Sequence, residues 1–258
     1  RKQVNKKITH YSSNMDILDF KTIDSKPGLY HPEIDLLVIS DLHLGLESSM
    51  TTKGSYVPQF QLDDLKKDIK EMQEETEASR ILVNGDLKNE FSTSYSEKKE
   101  LREFIDFLQD NFKDVIPIRG NHDTFIEDLL EEKGLRMQDS YMEKRVLFTH
   151  GHISLETLDV RDFETAVIGH EHPALALTDN IGVKEKVDCF LYGEMNDGRN
   201  ILVMPAFSTI SNGTNINEVP SKQLLSPILR NQTQKNSLKA IAVDREAGLL
   251  EFPKLGRI

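Results

Sequence analysis

The sequence predicts an α/β fold: a four-layer α/β-β/α sandwich in which two mixed β-sheets face each other, helices lie outside, and a site forms at the strand C-terminal ends. Three observations lead there. The first half alternates short apolar runs with amphipathic stretches, the pattern of a layered α/β domain. The second half replaces most helices with short strands and hairpin turns. Five of the strand-like runs end in Asp, Asn or His.

Residues 1–30 are polar and mixed, and are expected as a peripheral strand or arm. Leu36-Leu37-Val38-Ile39 has the continuous apolar character of a buried strand. Between Pro58 and Ala78, Phe60, Leu62, Leu65, Ile69 and Met72 recur near helical spacing, with Lys67 and Glu71, and Lys70 and Glu74, placed to support the wet face. Ile81-Leu82-Val83 is the next strand. Glu97 to Asp110 reads as a helix burying Leu101, Phe104, Ile105 and Leu108. Val115 to Ile118 is a strand and Phe125 to Glu132 a helix. Val146-Leu147-Phe148 and Ala166-Val167-Ile168 are short strands. Cys189 to Tyr192 and Ile201 to Met204 flank the turn signal Asn196-Asp197-Gly198, and Ala240 to Val243 and Leu249 to Phe252 flank Asp244 to Gly248. Residues 211–237, rich in Ser, Asn and Gln, are expected as a mobile loop. No repeat and no linker divides the chain, so 1–258 is read as one domain.

Composition excludes several classes. With 43 acidic and 32 basic residues the net charge is −11, which opposes broad coating of nucleic acid but leaves room for a local groove. No apolar run approaches the roughly 20 residues that span a bilayer, and the first residues lack an apolar signal core, so neither membrane nor export is expected. Cys189 is the only cysteine; an internal disulfide is impossible, and a reducing, cytoplasmic setting fits.

The strand ends carry the chemistry. LLVIS leads into Asp41-Leu42-His43, ILVNG into Asp86, and VIPIRG into Asn121-His122-Asp123. RVLFT leads into His150-Gly151-His152, and TAVIG into His170-Glu171-His172. Ligands in open α/β sheets bind beyond the carboxyl ends of the strands, so residues far apart in sequence are expected to share one site. In the Asp-x-His and His-x-His pairs, an extended backbone would point both side chains to one side. Gly45, Gly85, Gly120, Gly151 and Gly169 are placed for tight turns or close approach. The donors are oxygen and imidazole without thiolate, which excludes a cysteine-type structural zinc site. They suit Mn²⁺, Fe, Zn²⁺ or Ni²⁺. Asp41, His43, Asp86, Asn121, His150, His170 and His172 are too many for one ion. They suit two, about 3.5–4 Å apart, with one carboxylate bridging.

Read in order, DLH, GD, GNHD, HGH and GHEH resemble the motif set of the calcineurin-like metallophosphoesterase superfamily. The surrounding stretches DLHLGLE, NGDLKNEF, IRGNHD, FTHGH, IGHEHPA, MPAFS and LLSPIL resemble its SbcD-related, ICC-like phosphoesterases from archaea and bacteria. The resemblance implies two divalent metal ions, with Mn²⁺ expected first. Asp41, His43, Asp86 and His172 would hold one. Asp86, Asn121, His150 and His170 would hold the other, with Asp86 bridging. His122 would contact the scissile phosphate and protonate the leaving oxygen. Asn89 and Glu90 lie where some relatives place an acid that orients this histidine, and Asp123 is a neighbour by sequence. A nucleic-acid substrate and a helicase or DNA-repair partner are further implications. Within these residues, the separate capping domain of the related double-strand-break nuclease is not expected.

Blander readings stand beside these. Asp197 and Asp244 are turn residues. His152 orients a ligand or phosphate, or is a satisfied core histidine. Arg119 meets phosphate or forms a structural ion pair. Glu171 is expected to face solvent, and His10 and His31 to lie at the surface. Arg1, Lys2, Lys6 and Lys7 read as a solvated tail rather than a nucleic-acid contact. Ser208, Ser211 and Asn212 follow a strand and either line the pocket or close a loop, the loop reading standing first. Phe and Tyr look distributed through the core, with no stacking stripe. The functional expectation is a two-metal phosphodiesterase acting on DNA or RNA. The alternatives are an enzyme for small nucleotides or other small phosphoesters, and a non-catalytic scaffold on the same fold.

Overall fold

The computed structural model describes residues 14–52, 60–89, 95–178 and 182–258. The chain opens with three antiparallel strands, β1 (Asp16–Ile17), β2 (Phe20–Ile23) and β3 (Lys26–His31). Next come β4 (Leu36–Ile39), α1 (Leu46–Thr52), α2 (Gln61–Thr76), β5 (Arg80–Asn84), α3 (Tyr95–Asn111), β6 (Asp114–Ile118) and α4 (Glu127–Glu132). The second half holds β7 (Ser140–Glu143), β8 (Val146–Thr149), α5 (Leu155–Leu158), β9 (Thr165–Ile168), β10 (Pro173–Thr178), β11 (Lys184–Glu194), β12 (Asn200–Val203), β13 (Thr214–Asn215), α6 (Pro227–Gln232), β14 (Lys239–Asp244) and β15 (Gly248–Phe252).

Two mixed sheets result. The first runs β1-β2-β3-β4-β5-β6, with β4, β5 and β6 parallel. The second has nine strands, with β8, β9 and β12 parallel at its centre, antiparallel pairings around them, and the short β13 parallel to β10. Each central strand is apolar on both faces, and alternate residues enter different cores. Leu37, Ile39, Ile81 and Val83 pack against α2, α3 and α4, while Val38 and Leu82 point the other way. Leu147, Ala166, Ile168 and Ile201 face the side of α5 and α6; Phe148, Val167 and Leu202 face the first sheet. The core between the sheets thus takes residues from both, and three apolar interlayers make four layers. Each fully buried Leu, Ile or Phe contributes roughly 1.5–3 kcal/mol, so the sheets are pinned face to face.

Two segments differ from expectation. Residues 14–30 follow the strand reading and not the arm, forming edge strands of the first sheet, but they are built into the core: Ile17, Phe20, Ile23 and Leu29 are buried. Their two-residue turns carry Leu18, Asp24 and Ser25 at positive φ (54°, 43° and 56°), without the Asn-Gly or Asp-Gly that announces such turns. His31 is correspondingly buried, its ring edge-on to Phe20 with centroids 4.8 Å apart. Residues 211–237 are not an open loop either. Thr214 and Asn215 pair with β10, and Ile216, Leu224, Ile228 and Leu229 are buried. Ser226 caps α6 and Pro227 occupies its first turn, a start signal that outweighs the polar composition. The basic residues Arg1, Lys2, Lys6 and Lys7, with His10, lie outside the described residues. Among the described residues no helix is long and apolar enough to cross a membrane.

Candidate metal centre

Every candidate ligand follows the C-terminal end of a parallel strand. Asp41 and His43 follow β4, Asp86 follows β5, and Asn121 follows β6. His150 follows β8, and His170 and His172 follow β9. Sheet-like pairing continues past the strands, with Asp41 N donating to Gly85 O and His43 N to Asp86 O, both at 3.0 Å. The backbone there is not extended. Asp41, His43, Asp86, His170 and His172 all have positive φ, between 44° and 64°. The left-handed region costs a non-glycine residue about 1–2 kcal/mol, and such strain persists where surrounding structure over-determines it. The Asp41–His43 and His170–His172 pairs therefore turn both side chains inward by a left-handed twist at each end, not by strand alternation, while in the His150–His152 pair only the intervening Gly151 has positive φ. Close approach completes the nest. A Cβ on Gly120 would collide with Asp86, and one on Gly169 with Ser40 and Asp41.

The donors gather in two groups. Asp41, His43, Asp86 and His172 offer atoms all within 4.8 Å of one another, and so do Asp86, His150 and His170. Asp86 belongs to both. His172 Nε2 lies 2.9 Å from Asp41 Oδ1, and His150 Nε2 lies 3.4 Å from Asp86 Oδ2. Asn121 Oδ1 is 3.2 Å from His150 Nε2, which places the amide with the second group. The two sheets meet at the site: His170 N is 3.2 Å from both oxygens of Asp41.

Burial and mutual charge set the protonation states. Burial drives His43 down to about 4 and His170 to about 3, so both present lone pairs at neutral pH. Burial also opposes the charged form of His150, but Asp86 and Asp41 outweigh it and lift this ring to about 9. Asp86 is pushed up by burial and held below its ordinary value by His150 and His43. The donor set fits a cation pair. It offers two buried carboxylates and four converging imidazoles. The Nε2 atoms of His43 and His172 point at each other across 3.3 Å, a contact that needs a proton or a cation between two nitrogens. The lone thiol, Cys189, is buried in the core on the outer side of the second sheet and takes no part.

The surrounding residues sort differently from expectation. His122 stands beside the first group, its ring edge-on to His43 with centroids 5.3 Å apart. Its Nδ1 donates to the backbone carbonyl of Asn89, so Asn89 acts through its main chain and not its amide. Glu90 lies outside the described residues. Asp123 is no partner of His122; it accepts from the backbone N–H groups of Gly120, Leu87 and Lys88 and ties the loops after β5 and β6 together. Burial, with repulsion from Asp86, raises its carboxyl to about 7. His152 lies behind the second group, centroid 5.2 Å from His150, with its buried Nδ1 unbonded among the described residues. Arg119 is spent in ion pairs with Glu127 (2.5 Å) and Asp139 (3.1 Å), the structural alternative. Glu171 faces inward rather than toward solvent, accepting from Ser226 N at 2.9 Å.

Sequence reasoning missed several supports. Ser40 Oγ lies 2.5 Å from Asp41 Oδ2, and the carbonyl of Asn84 accepts from His150 Nδ1 at 3.0 Å. Ser211 follows the pocket-lining reading and not the loop reading placed first, its hydroxyl lying 3.0 Å from His172 Nδ1. Ser208 does close that loop, accepting from Ile210 N and Ser211 N. Gln61 Nε2 donates to Leu42 O, inside the Asp41–His43 turn. A hydroxyl beside an imidazole carries no sequence signal.

Comparison with known proteins adds the following. The calcineurin-like phosphoesterase family pattern matches residues 34–208. No curated protein matches the chain. Among solved structures, the Pseudomonas putida nuclease MPE superposes with a TM-score of 0.62 at 14% identity, covering 94% of this chain and 100% of that one. Yfce, a phosphoesterase from E. coli, gives 0.39 at 19% identity over 69% and 83% of the two chains. Vps29 from Chaetomium thermophilum gives 0.36 at 13% over 84% and 95%.

Proposed function

The chain belongs to the calcineurin-like phosphoesterase family, and from that premise we propose that it is a two-metal phosphodiesterase that cleaves nucleic acid. The observation that carries this reading is the pair of donor groups joined through Asp86. In it, Asp41, His43, Asp86 and His172 hold one divalent ion, and Asp86, Asn121, His150 and His170 the other, with Mn²⁺ the first metal to try. Such ions neutralise phosphate charge and bring a bound water's pKa toward neutrality. His122 does the chain's own proton work. A carbonyl only accepts, so the contact with Asn89 keeps a proton on Nδ1. In the protonated ring Nε2 then carries the mobile proton, to be given to the leaving oxygen. Asp123 keeps the two loops that present Asp86 and His122 in register.

The choice of nucleic acid rests on two supports: the resemblance of the motif surroundings to SbcD-related phosphoesterases, and the name of the Pseudomonas putida neighbour, a nuclease. A cytoplasmic setting, a helicase or repair partner and a one-domain chain belong to the same reading. The net charge of −11 favours a second reading, hydrolysis of small nucleotides or other small phosphoesters. The test is cleavage of labelled DNA and RNA strands and of bis(4-nitrophenyl) phosphate with Mn²⁺, beside Asp86→Asn and His122→Ala. The reading expects strand cleavage and losses of about 10³-fold or more for Asp86→Asn and about 10²–10⁴-fold for His122→Ala. Cleavage of the small diester alone favours the second reading; full activity in both variants rejects the assignment.

A further inference from the structure

Two phenylalanines stand apart from the rest. Phe125 is 76% exposed and Phe60 64%, the two most exposed large apolar side chains among the described residues. Both sit close along the chain to residues of the donor cluster or its braces. Phe125 lies three residues beyond His122, and Phe60 immediately precedes Gln61, whose amide grips the Asp41–His43 turn. Single exposed apolar residues are ordinary, but these are built into place. Phe125 is held at φ 61°, a genuine outlier for a bulky residue. The following turn is pinned by Ile126 N donating to Glu127 Oε2 (3.1 Å) and by the Arg119–Glu127 ion pair. At Phe60, its own N–H and that of Gln61 both donate to Glu47 Oε1 at 3.0 Å. The fold thus maintains strain and exposure where hydrophobic burial would favour neither.

The arrangement across the sheet gives these rings a purpose. The loop after β4, gripped by Gln61, and the loop after β6, which leads to Phe125, emerge on either side of β5, whose end carries the shared Asp86. A phosphodiester centred at Asp86 has one nucleoside on each side. We infer that Phe60 and Phe125 are stacking platforms for the two bases flanking the scissile phosphate of a single-stranded nucleic acid. A base in a duplex is already stacked, whereas an unpaired one offers its face to an aromatic ring. This rests on the nuclease reading and names its substrate class.

The test is a coupling experiment with Mn²⁺. Wild type, Phe60→Ala, Phe125→Ala and Phe125→Trp are assayed on a single-stranded DNA. The same strand is also prepared with tetrahydrofuran spacers replacing the two nucleosides beside the cut. Melting temperature and Mn²⁺ uptake report that each variant is folded. Stacking lost at one base raises KM roughly 5- to 150-fold. Each alanine variant is expected to show that rise on the normal strand and little on the spacer strand, with Phe125→Trp restoring wild-type behaviour. Equal KM for wild type and both alanine variants on the normal strand overturns the platforms and leaves the nuclease reading standing. So does a rise of the same size on both strands. A wild type that cuts bis(4-nitrophenyl) phosphate but no DNA strand overturns both.

Discussion

The two halves of the donor cluster are unlike. One combines two carboxylates, Asp41 and Asp86, with His43 and His172; the other has only the shared Asp86, with His150, His170 and the amide of Asn121. The first is also braced more fully: Asp41 is approached by Ser40 and by His170 N, and His172 by Ser211. In the second, the Nδ1 of His150 is fixed by the Asn84 carbonyl. Two anionic ligands attract a divalent ion more strongly than one, and braced donors lose less freedom on binding. The difference teaches that a two-ion site need not be symmetric, and the proposed ligand sets predict that the first half is the anchor and the second the weaker seat.

The largest break comes from the residue common to both. Asp86→Asn is expected to abolish stoichiometric uptake of both ions, measured as Mn²⁺ per chain by elemental analysis; retention of one tightly held ion would mean that the halves are independent. Next, His43→Ala and His170→Ala separate them. His43→Ala is expected to weaken the tighter of two calorimetric binding steps, and His170→Ala the weaker step only. Interchanged effects would reverse the assignment of anchor and seat. A smaller change follows from Ser211→Ala, which frees the far nitrogen of His172. Loss of such a support costs about 10–100-fold in metal affinity, and it should fall on the tight step.

Both sheets' central strands were legible because burial on both faces writes continuous apolar runs such as Leu36–Ile39 and Ala166–Ile168, and because two hairpins carry turn residues. The cluster was legible because a strand's end is a fixed place, so acids and imidazoles after five such runs had one region to share. What escaped is what sequence encodes weakly. The first three strands turn through Leu18-Asp19 and Asp24-Ser25 without glycine. Helix α6 sits in a segment whose Ser, Asn and Gln content reads as loop. The left-handed backbone at Asp41, His43, Asp86, His170 and His172 inverts the local preference of these residues, as happens where tertiary structure imposes a conformation. Phe60 fits a helical apolar spacing and so reads as core; only its 64% exposure shows that it lies outside.

The subtlest probe concerns the proton on His150, because it tells whether the halves communicate. Asp86 and Asp41 hold that ring charged up to about pH 9, against the effect of burial. Nδ1 donates to Asn84, so the proton in competition with a metal ion is on Nε2. His43 and His170, lowered to about 4 and 3, are already neutral at pH 7 and have no proton to release there, whereas His172, raised by Asp41 against the effect of burial, gives its own proton to the medium when the anchor fills. Below pH 9 binding must therefore expel a proton from His150, and affinity rises with pH by up to about tenfold per unit before levelling off above 9. The ring belongs to the weak seat, yet the carboxylates that charge it belong to the anchor. An ion in the anchor cancels their field, so the proton leaves on the first, tighter step. Calorimetric titration with Mn²⁺ at pH 7 in two buffers of different ionisation heat measures that release step by step. More than one proton released on the first step, beyond what His172 alone can give, is the expected result; one proton or fewer there, with the remainder on the second step, would show that the anchor's charge does not reach His150.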